Sequence, residues 1–313
     1  MSAPDFSHLN KSQSLYDYEP SLGAAIACAA CCSAAVLFHM LLFVRSQAWC
    51  FWAFQAGILV EAVGFIVRAV SIAHIENEGA FMASYTFLLL GPSLMAVGCQ
   101  TILIQIIWWA TPLRCHRFRL LWCPIRFMNA ISTGLGLAAF LVQLFGVALY
   151  YASFTTMEPI VDARKRGLAV LRVGAIFQLV ILTVFAIVGM RFHIVSYGWI
   201  GRPVPLTRTS GATWYRLGRT ISVASTLIIA RTIFRLVEVF VSHDQPGYIV
   251  SNEWPFWAFD AIPMLVAVVL LAVNYPGLQM PTELLGAFWN QGKVQTKKKN
   301  IHSESMMTEL EDV

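Results

Sequence analysis

Charged side chains are scarce in this chain, where Asp, Glu, Lys and Arg make up 12% of the 313 residues. A soluble domain carries about twice that share. Charged residues are absent altogether from three stretches, residues 21–44, 79–113 and 127–157. Each stretch is longer than the roughly 20 residues that carry a helix across about 30 Å of hydrocarbon. The chain is therefore expected to be an integral membrane protein.

Several patterns that would mark other functions are also missing. Every lysine lies outside the apolar stretches, which excludes the Schiff base of a retinal protein. The chain has neither the phosphate-binding loop of an ATP-driven pump nor the G-x-S-x-G elbow of a hydrolase. Its seven histidines are dispersed and do not suggest a zinc site. We expect no catalytic residue, no cofactor and no metal. Because the basic residues lie in short loops, no nucleic-acid partner is expected either.

The apolar pattern predicts an all-α integral membrane protein with seven transmembrane helices. Glutamate, proline and glycine residues separate the spans. The predicted spans lie near residues 21–44, 49–73, 81–109, 127–151, 168–190, 217–241 and 254–275. This divides the chain into an extracellular segment, residues 1–20, a membrane domain, residues 21–278, and a cytosolic tail, residues 279–313. The sequence leaves the oligomeric state open.

Lysine and arginine counts in the loops predict the orientation. The N-terminal segment and the even-numbered loops hold four of these residues, whereas the odd-numbered loops and the tail hold thirteen. Basic loops stay in the cytosol, so the N-terminus is expected outside and the C-terminus in the cytosol. Asn10 begins an Asn-Lys-Ser acceptor triplet. On this topology it is a candidate glycosylation site.

Six ionisable residues lie well inside the predicted spans. Each would cost about 2.5–3.5 kcal/mol near a helix centre if it were unpaired. Three are positive and three negative, so the set can neutralise itself. They are Glu61, Arg68, Arg231, Arg235, Glu238 and Asp260. Two further arginines, Arg172 and Arg219, are close enough to span ends for their side chains to reach the interface.

Helical spacing predicts that these charges converge. Arg231, Arg235 and Glu238 share one helix face, as do Glu61 and Arg68. Counting about 1.5 Å per residue places the charges of three spans in the outer half of the membrane. Gln143 reaches a similar depth, and Gln178 lies nearer the middle. Two interpretations stay open: ion pairs that lock the helices together, and a polar pocket for a head group.

The same residues carry a resemblance to a known family. The stretches are "YDYEPS" (16–21), "EAVGFIVR" (61–68), "RTIFRLVE" (231–238) and "FWAFD" (256–260). They resemble the signature of the fungal lipid-translocating exporter family, whose founding members confer resistance to aminocholesterol and related amphiphiles. Pro92, "QLFG" (143–146) and "GAIFQ" (174–178) agree further. Three positions depart from the family pattern: Gly136 stands where an aspartate is expected, Gln100 for a tyrosine, and Tyr275 for a histidine. The chain therefore looks like a divergent member.

The resemblance implies export or flipping of amphiphilic lipids, or lipid-like toxic compounds, across the plasma membrane. Family members have been linked to sphingoid bases, sterol-like toxins and porphyrins. A receptor-like sensor or regulator of lipid asymmetry is the alternative. Our hypothesis is that a polar or cationic head group enters near Glu61, Glu238 and Asp260. Its alkyl or ring portion would remain in lipid or among apolar side chains.

Overall fold

The computed structural model describes residues 16, 18–111, 125–152, 160–197, 211–241, 248 and 251–280. Every regular element in this part of the chain is helical. Seven long helices follow one another. They are α1 (Leu22–Ser46), α2 (Trp52–Ala73), α3 (Glu78–Ala110), α4 (Ile125–Ala152), α5 (Ile160–Ser196), α6 (Gly211–Val241) and α7, which begins at Trp254 and ends at Val273. The predicted all-helical fold is confirmed. Asn10 and the tail beyond Met280 lie outside the described residues.

In the described part of the chain, six helical segments are long and apolar enough to cross a membrane, and they fall on α1 to α5 and α7. The exception is α6, whose apolar stretch carries Arg231, Arg235 and Glu238. Helices α5 and α6 begin earlier than the spans predicted at residues 168 and 217. Their first turns contain polar and basic residues, which a helix tolerates once it leaves the hydrocarbon.

The central helix of the bundle is α3. In the most apolar segment of α3, 89% of the residues are buried, whereas in the corresponding segment of α1 only 11% are. Close contact between α2 and α3 depends on glycine. A Cβ added at Gly57 would lie 2.7 Å from the Gly91 carbonyl oxygen, and one at Gly98 would lie 2.6 Å from the Phe54 nitrogen. Small residues of this kind let membrane helices approach closely. Helix α1 instead lies at the periphery, with large apolar side chains such as Leu37 and Leu41 exposed.

Two irregularities shape the helices around the site. Pro92 lies inside α3. It has no N–H group, so the carbonyl four residues earlier, that of Leu88, loses its helical partner. In α7 the turn Trp257–Ala261 is a π-helical turn, in which the Ile262 N–H donates to the Trp257 carbonyl. Such turns widen a helix by one residue and are frequent at functional sites.

Arg172 contacts the last turn of α6. Its Nη2 donates to the Val239 carbonyl of α6 at 3.1 Å, and its guanidinium lies 4.8 Å from the Phe240 ring centre. This arginine therefore satisfies a carbonyl in the last turn of α6, where a positive charge is favourable. The contact joins α5 to α6.

Candidate functional site

A buried ion cluster joins α2, α6 and α7. Its best-formed contact is between Arg235 and Asp260. Arg235 Nε and Nη2 donate to the two Asp260 carboxylate oxygens at 2.8 and 2.7 Å. The Nη1 atom donates to Glu238 Oε2 at 2.7 Å. Paired donation of this kind gives an arginine a fixed orientation as well as charge neutralisation. Asp260 is fully buried and lies in the π-helical turn.

Arg231 connects the same aspartate to α2 and α3. Its Nε lies 2.7 Å from Asp260 Oδ1, in a close ion pair that is not aligned as a hydrogen bond. Its Nη2 is 3.8 Å from Glu61 Oε1 and donates to the Leu88 carbonyl oxygen. That carbonyl is the one left free by Pro92. A side chain of α6 therefore supplies the hydrogen bond that this carbonyl of α3 lacks.

The ion cluster has more carboxylates than guanidinium groups. Within the described part of the chain, Glu61, Glu238 and Asp260 form ion pairs with Arg231 and Arg235 alone. Among the described residues, the Glu61 oxygens have no hydrogen-bond partner although they are buried. Burying an uncompensated charge is costly. Among the described residues, Glu61 is thus the carboxylate of the ion cluster with the least compensation.

A small cavity lies against Glu61. Its walls come from α1, α2 and α7, and it has room for about one water molecule. The lining residues are Cys32, Ala35, Ile58, Glu61, Met264, Leu265 and Val268. Because α1 forms one wall and is otherwise exposed, this cavity is separated from the outer surface of the bundle by a single peripheral helix.

Arg68 belongs to a different group of contacts from Glu61, although both lie on one face of α2. Its Nη2 donates to Tyr18 Oη at 2.8 Å and lies 3.8 Å from Glu253 Oε1. Its guanidinium is 4.1 Å from the Phe256 ring centre. We call Arg68, Tyr18, Glu253 and Phe256 the Arg68 group. Burial raises the pKa of the Tyr18 phenol, which therefore accepts this hydrogen bond as a neutral hydroxyl.

The Arg68 group ties the start of the chain to the end of the bundle. The Ser21 N–H lies 3.0 Å from both Glu253 oxygens, and Tyr16 Oη donates to Ser71 Oγ at 3.0 Å. Tyr18 and Glu253 were not predicted as site residues. The signals available were the acidic residue directly before the Trp254-Pro255 helix start and the tyrosines of "YDYEPS".

Gln143 and Gln178 were expected near the charges, but their hydrogen bonds are to other groups. Ser93 Oγ lies 2.9 Å from Gln143 Oε1 and 2.7 Å from Gln178 Oε1. Gln143 Nε2 donates to Gln178 Oε1 and, at 3.4 Å, to the Gly174 carbonyl. The two glutamines thus form a neutral cluster on α4 and α5 that is joined to α3 through Ser93.

The three departures from the family pattern all lie in buried surroundings. A Cβ at Gly136 would lie 2.7 Å from Val97 Cγ2, so even alanine would require Val97 to move. Gln100 Oε1 accepts from Ser132 Oγ at 3.1 Å. Tyr275 Oη accepts from Gln55 Nε2 at 3.2 Å, near the buried His39 ring. Each substituted residue is accommodated by packing or by a hydrogen bond.

A helical membrane protein with a buried, charge-unbalanced ion cluster is the class that these features define. The RTA1 like protein family matches residues 54–283, which include Glu61, Arg231, Arg235 and Asp260. The chain belongs to this family. The resemblance read from its motifs is thereby confirmed.

Curated relatives from Saccharomyces cerevisiae match most of the chain. Protein RTM1 is 29% identical over 233 residues, covering 74% of this chain and 69% of the relative. Protoporphyrin uptake protein 1 is 26% identical over 231 residues, covering 74% and 70%. Sphingoid long-chain base transporter RSB1 is 25% identical over 267 residues, covering 76% and 67%. No solved structure matches the chain at a significant level.

Proposed function

We propose that this protein exports or flips amphiphilic lipids, or lipid-like toxic compounds, across the plasma membrane. In this proposal it spans the membrane seven times, with the N-terminus outside and the C-terminus in the cytosol. Support comes from family membership and from a relative named as a transporter of sphingoid long-chain bases. Transport is proposed without a covalent step, so the protein is not an enzyme.

The observation that carries the proposal is the unmatched carboxylate at Glu61. A long-chain base combines an alkyl chain with an amine that is cationic at neutral pH. Such an amine would restore the charge balance of the ion cluster and supply donors for the Glu61 oxygens, which have no hydrogen-bond partner among the described residues. A neutral head group could donate a hydrogen bond to Glu61 but would not restore the charge balance, and an anionic one would add to the excess of negative charge. We therefore place cationic amphiphiles first among the substrate classes.

The proposed route of entry is between α1 and its neighbours. The cavity beside Glu61 holds only about one water molecule in this conformation, so a head group requires α1 to move outward. Helix α1 is the least buried of the candidate spans. A lateral opening would admit the head group to Glu61 and leave the alkyl chain in lipid. This arrangement suits a molecule that is half polar and half apolar.

Exchange of partners in the ion cluster would complete the movement. Arg231 lies beside both Glu61 and Asp260. An amine bound at Glu61 would therefore compete with Arg231 for the Glu61 oxygens. Release of Arg231 would loosen the contact of α6 with the Leu88 carbonyl of α3. We propose that this loosening opens the site to the opposite leaflet.

The alternative is a lipid sensor that binds the same molecule without moving it. The small cavity and the three hydrogen bonds of Arg235 favour this second interpretation, because they describe a bundle with one compact resting state. In that case α1 would move on binding and pass a signal to a partner. Both readings use the same residues and differ only in net movement of the ligand.

Reconstitution of the purified protein in liposomes tests the proposal. A sphingoid base labelled at its alkyl end would be placed in one leaflet, and its movement followed by quenching from outside, with sterol and phospholipid probes in parallel. Protein-dependent movement of the base is expected. Binding without movement would support the sensor, and absence of both would overturn the proposal.

Two isosteric variants locate the site. Glu61→Gln removes the charge but breaks no hydrogen bond among the described residues, so movement should fall at least about tenfold with little loss of thermal stability. Glu238→Gln should also reduce movement. The control is Glu76→Gln, which neutralises an exposed carboxylate between α2 and α3. Equal movement in Glu61→Gln and the control would make the ion cluster purely structural. Surface labelling of intact cells would test the plasma-membrane location.

A further inference from the structure

A second polar region runs along the contact between α3 and α4. It contains no Asp, Glu, Lys, Arg or His, so it is distinct in chemistry from the ion cluster. We call it the α3–α4 seam. Its members are Ser93, Gln100, Thr101 and Gln105 on α3 and Asn129, Ser132, Thr133 and Gln143 on α4, with Gln178 of α5 beside them.

Antiparallel pairing holds the middle of the seam. Ser132 Oγ donates to Gln100 Oε1 at 3.1 Å, and Thr101 Oγ1 lies 3.4 Å from Thr133 Oγ1. Residues one helical turn further along each helix share these faces. The same register therefore brings Asn129 opposite Gln105, at the end of the seam nearer the C-terminus of α3.

This end of the seam has polar atoms without partners. Gln105 and Asn129 are 5% and 3% exposed. Among the described residues, Gln105 Oε1 and both Asn129 side-chain atoms, Oδ1 and Nδ2, have no hydrogen-bond partner. Leaving a polar group buried and unpaired costs about 1–3 kcal/mol. A ligand that both donates and accepts hydrogen bonds would satisfy all three atoms.

A cavity continues the seam beyond Gln100. It lies beside Gly136 and has room for about one water molecule. Ser93, Gln100 and Gln178 supply its polar lining. Three polar side chains reach this space, which is large enough to hold one water molecule.

The far end of the seam reaches the ion cluster through one turn of α3. Ser93 Oγ is 3.5 Å from the Leu89 carbonyl, and the adjacent Leu88 carbonyl accepts from Arg231. From Gln105 to Ser93 the seam extends roughly 18 Å. Gln105 itself is about 8 Å from the end of α3 at Ala110. Polar groups therefore follow one another from near the helix end to the ion cluster.

We infer that the α3–α4 seam is a hydrated path, which holds a file of water molecules between one end of the bundle and the ion cluster. Water both donates and accepts, which matches the mixed set of unpaired atoms at Gln105 and Asn129. The neutral lining offers no counter-charge to an ion. The path would let protons exchange with the ion cluster without passage of the lipid substrate, and it does not depend on which end faces the cytosol.

Thiol labelling tests whether water reaches the middle of the seam. Ser93→Cys faces the cavity, whereas Met95→Cys lies at nearly the same depth of α3 in the apolar core. A small water-soluble thiol reagent would be applied from both sides, and the modified residue identified by mass spectrometry. At least tenfold faster labelling of S93C than of M95C is expected. Equal rates would overturn the inference.

A plug at Gly136 identifies the route. Gly136→Val adds a side chain at the wall of the cavity and pushes against Val97, another lining residue, because even its Cβ would lie 2.7 Å from Val97 Cγ2. It should slow labelling of S93C and leave labelling of N129C, below the plug, unchanged. Unchanged labelling of S93C would place the access elsewhere and overturn the path.

Apolar replacement supplies a readout that needs no cysteine. In a dry seam, Gln105→Met and Asn129→Leu would remove unpaired groups and raise the melting temperature. In a hydrated seam they remove satisfied groups, so the melting temperature should stay level or fall. A rise in both variants would overturn the inference.

Discussion

The ion cluster and the α3–α4 seam are both polar regions inside an apolar bundle, yet they are satisfied by different means. In the ion cluster, oppositely charged groups of α2, α6 and α7 lie against one another, and a bidentate pair fixes Arg235 against Asp260. In the seam, neutral amides and hydroxyls pair across α3 and α4, and Gln105 and Asn129 are left over. A group that loses its partner costs far more in the first region than in the second.

We expect this difference to make the ion cluster rigid and the α3–α4 seam accessible to water. Charged pairs at 2.7–2.8 Å hold α6 against α7 in one arrangement. Neutral groups with free atoms can exchange partners with water at low cost. The ion cluster is therefore expected to dominate stability, and the seam to dominate access of water. The four predictions that follow test this division, from the largest expected effect to the smallest.

Asp260→Ala should produce the largest loss of stability. It leaves Arg231 and Arg235 buried without their shared carboxylate. Removing one partner of a buried ion pair costs about 3–5 kcal/mol. Unfolding in detergent would measure the loss, with Glu76→Ala as the surface control. A loss no greater than that of Gln143→Ala in the seam would break the comparison.

Arg235→Lys should be the next most costly change, because lysine keeps the charge but not the two parallel donors to Asp260. Hydrogen bonds to charged groups contribute about 1.5–3 kcal/mol. The matched control is Arg219→Lys, an exposed arginine on the same helix. Equal unfolding midpoints in the two variants would show that charge alone, without geometry, holds α6 to α7.

Gln143→Leu should have a moderate effect. It removes hydrogen bonds to Ser93 and to the Gly174 carbonyl, and polar contacts between membrane helices average about 0.6 kcal/mol with a maximum near 1.7. A double-mutant cycle with Ser93→Ala would isolate the pair. If Gln143→Leu lowered the stability as much as Asp260→Ala, the seam would be as important for stability as the ion cluster, which would contradict the comparison.

Pro92→Ala should change overall stability least. It should, however, weaken the dependence of the Leu88 carbonyl on Arg231. Alanine restores an N–H to the Leu88 carbonyl, which then no longer depends on Arg231. The backbone hydrogen bond gained offsets the side-chain one lost. Arg231→Lys should accordingly cost about 1 kcal/mol less in the Pro92→Ala background. Identical costs in both backgrounds would contradict this account of α3.

Sequence periodicity predicts the charge convergence well, because the spacing of Arg231, Arg235 and Glu238 assigns them to one face of α6. It does not separate Arg68 from Glu61. Seven residues of helix place these side chains about 10 Å apart, which is enough for Arg68 to pair with Glu253 instead. Glu253 precedes α7, and its position over α2 depends on how the chain packs.

The sequence predicted how deep Gln143 and Gln178 lie in the membrane domain, but not which neighbouring helices their side chains face. Two residues at the same depth can face different neighbours, and only helix packing decides which. The free Leu88 carbonyl is different, since a proline inside a helix always leaves one carbonyl unpaired. The sequence therefore predicts the unpaired Leu88 carbonyl, whereas only the fold shows that Arg231 donates to it.

The π-helical turn at Trp257–Ala261 gives the last helix two independent angular settings. The extra residue in this turn advances the helix by about 100°. Phe256 and Asp260 can thus point toward Arg68 and Arg235 while Met264 and Leu271 face the apolar core. Deleting one residue within the turn would rotate one half against the other. Such a deletion would misalign the acidic half of α7 even though every charged residue was still present.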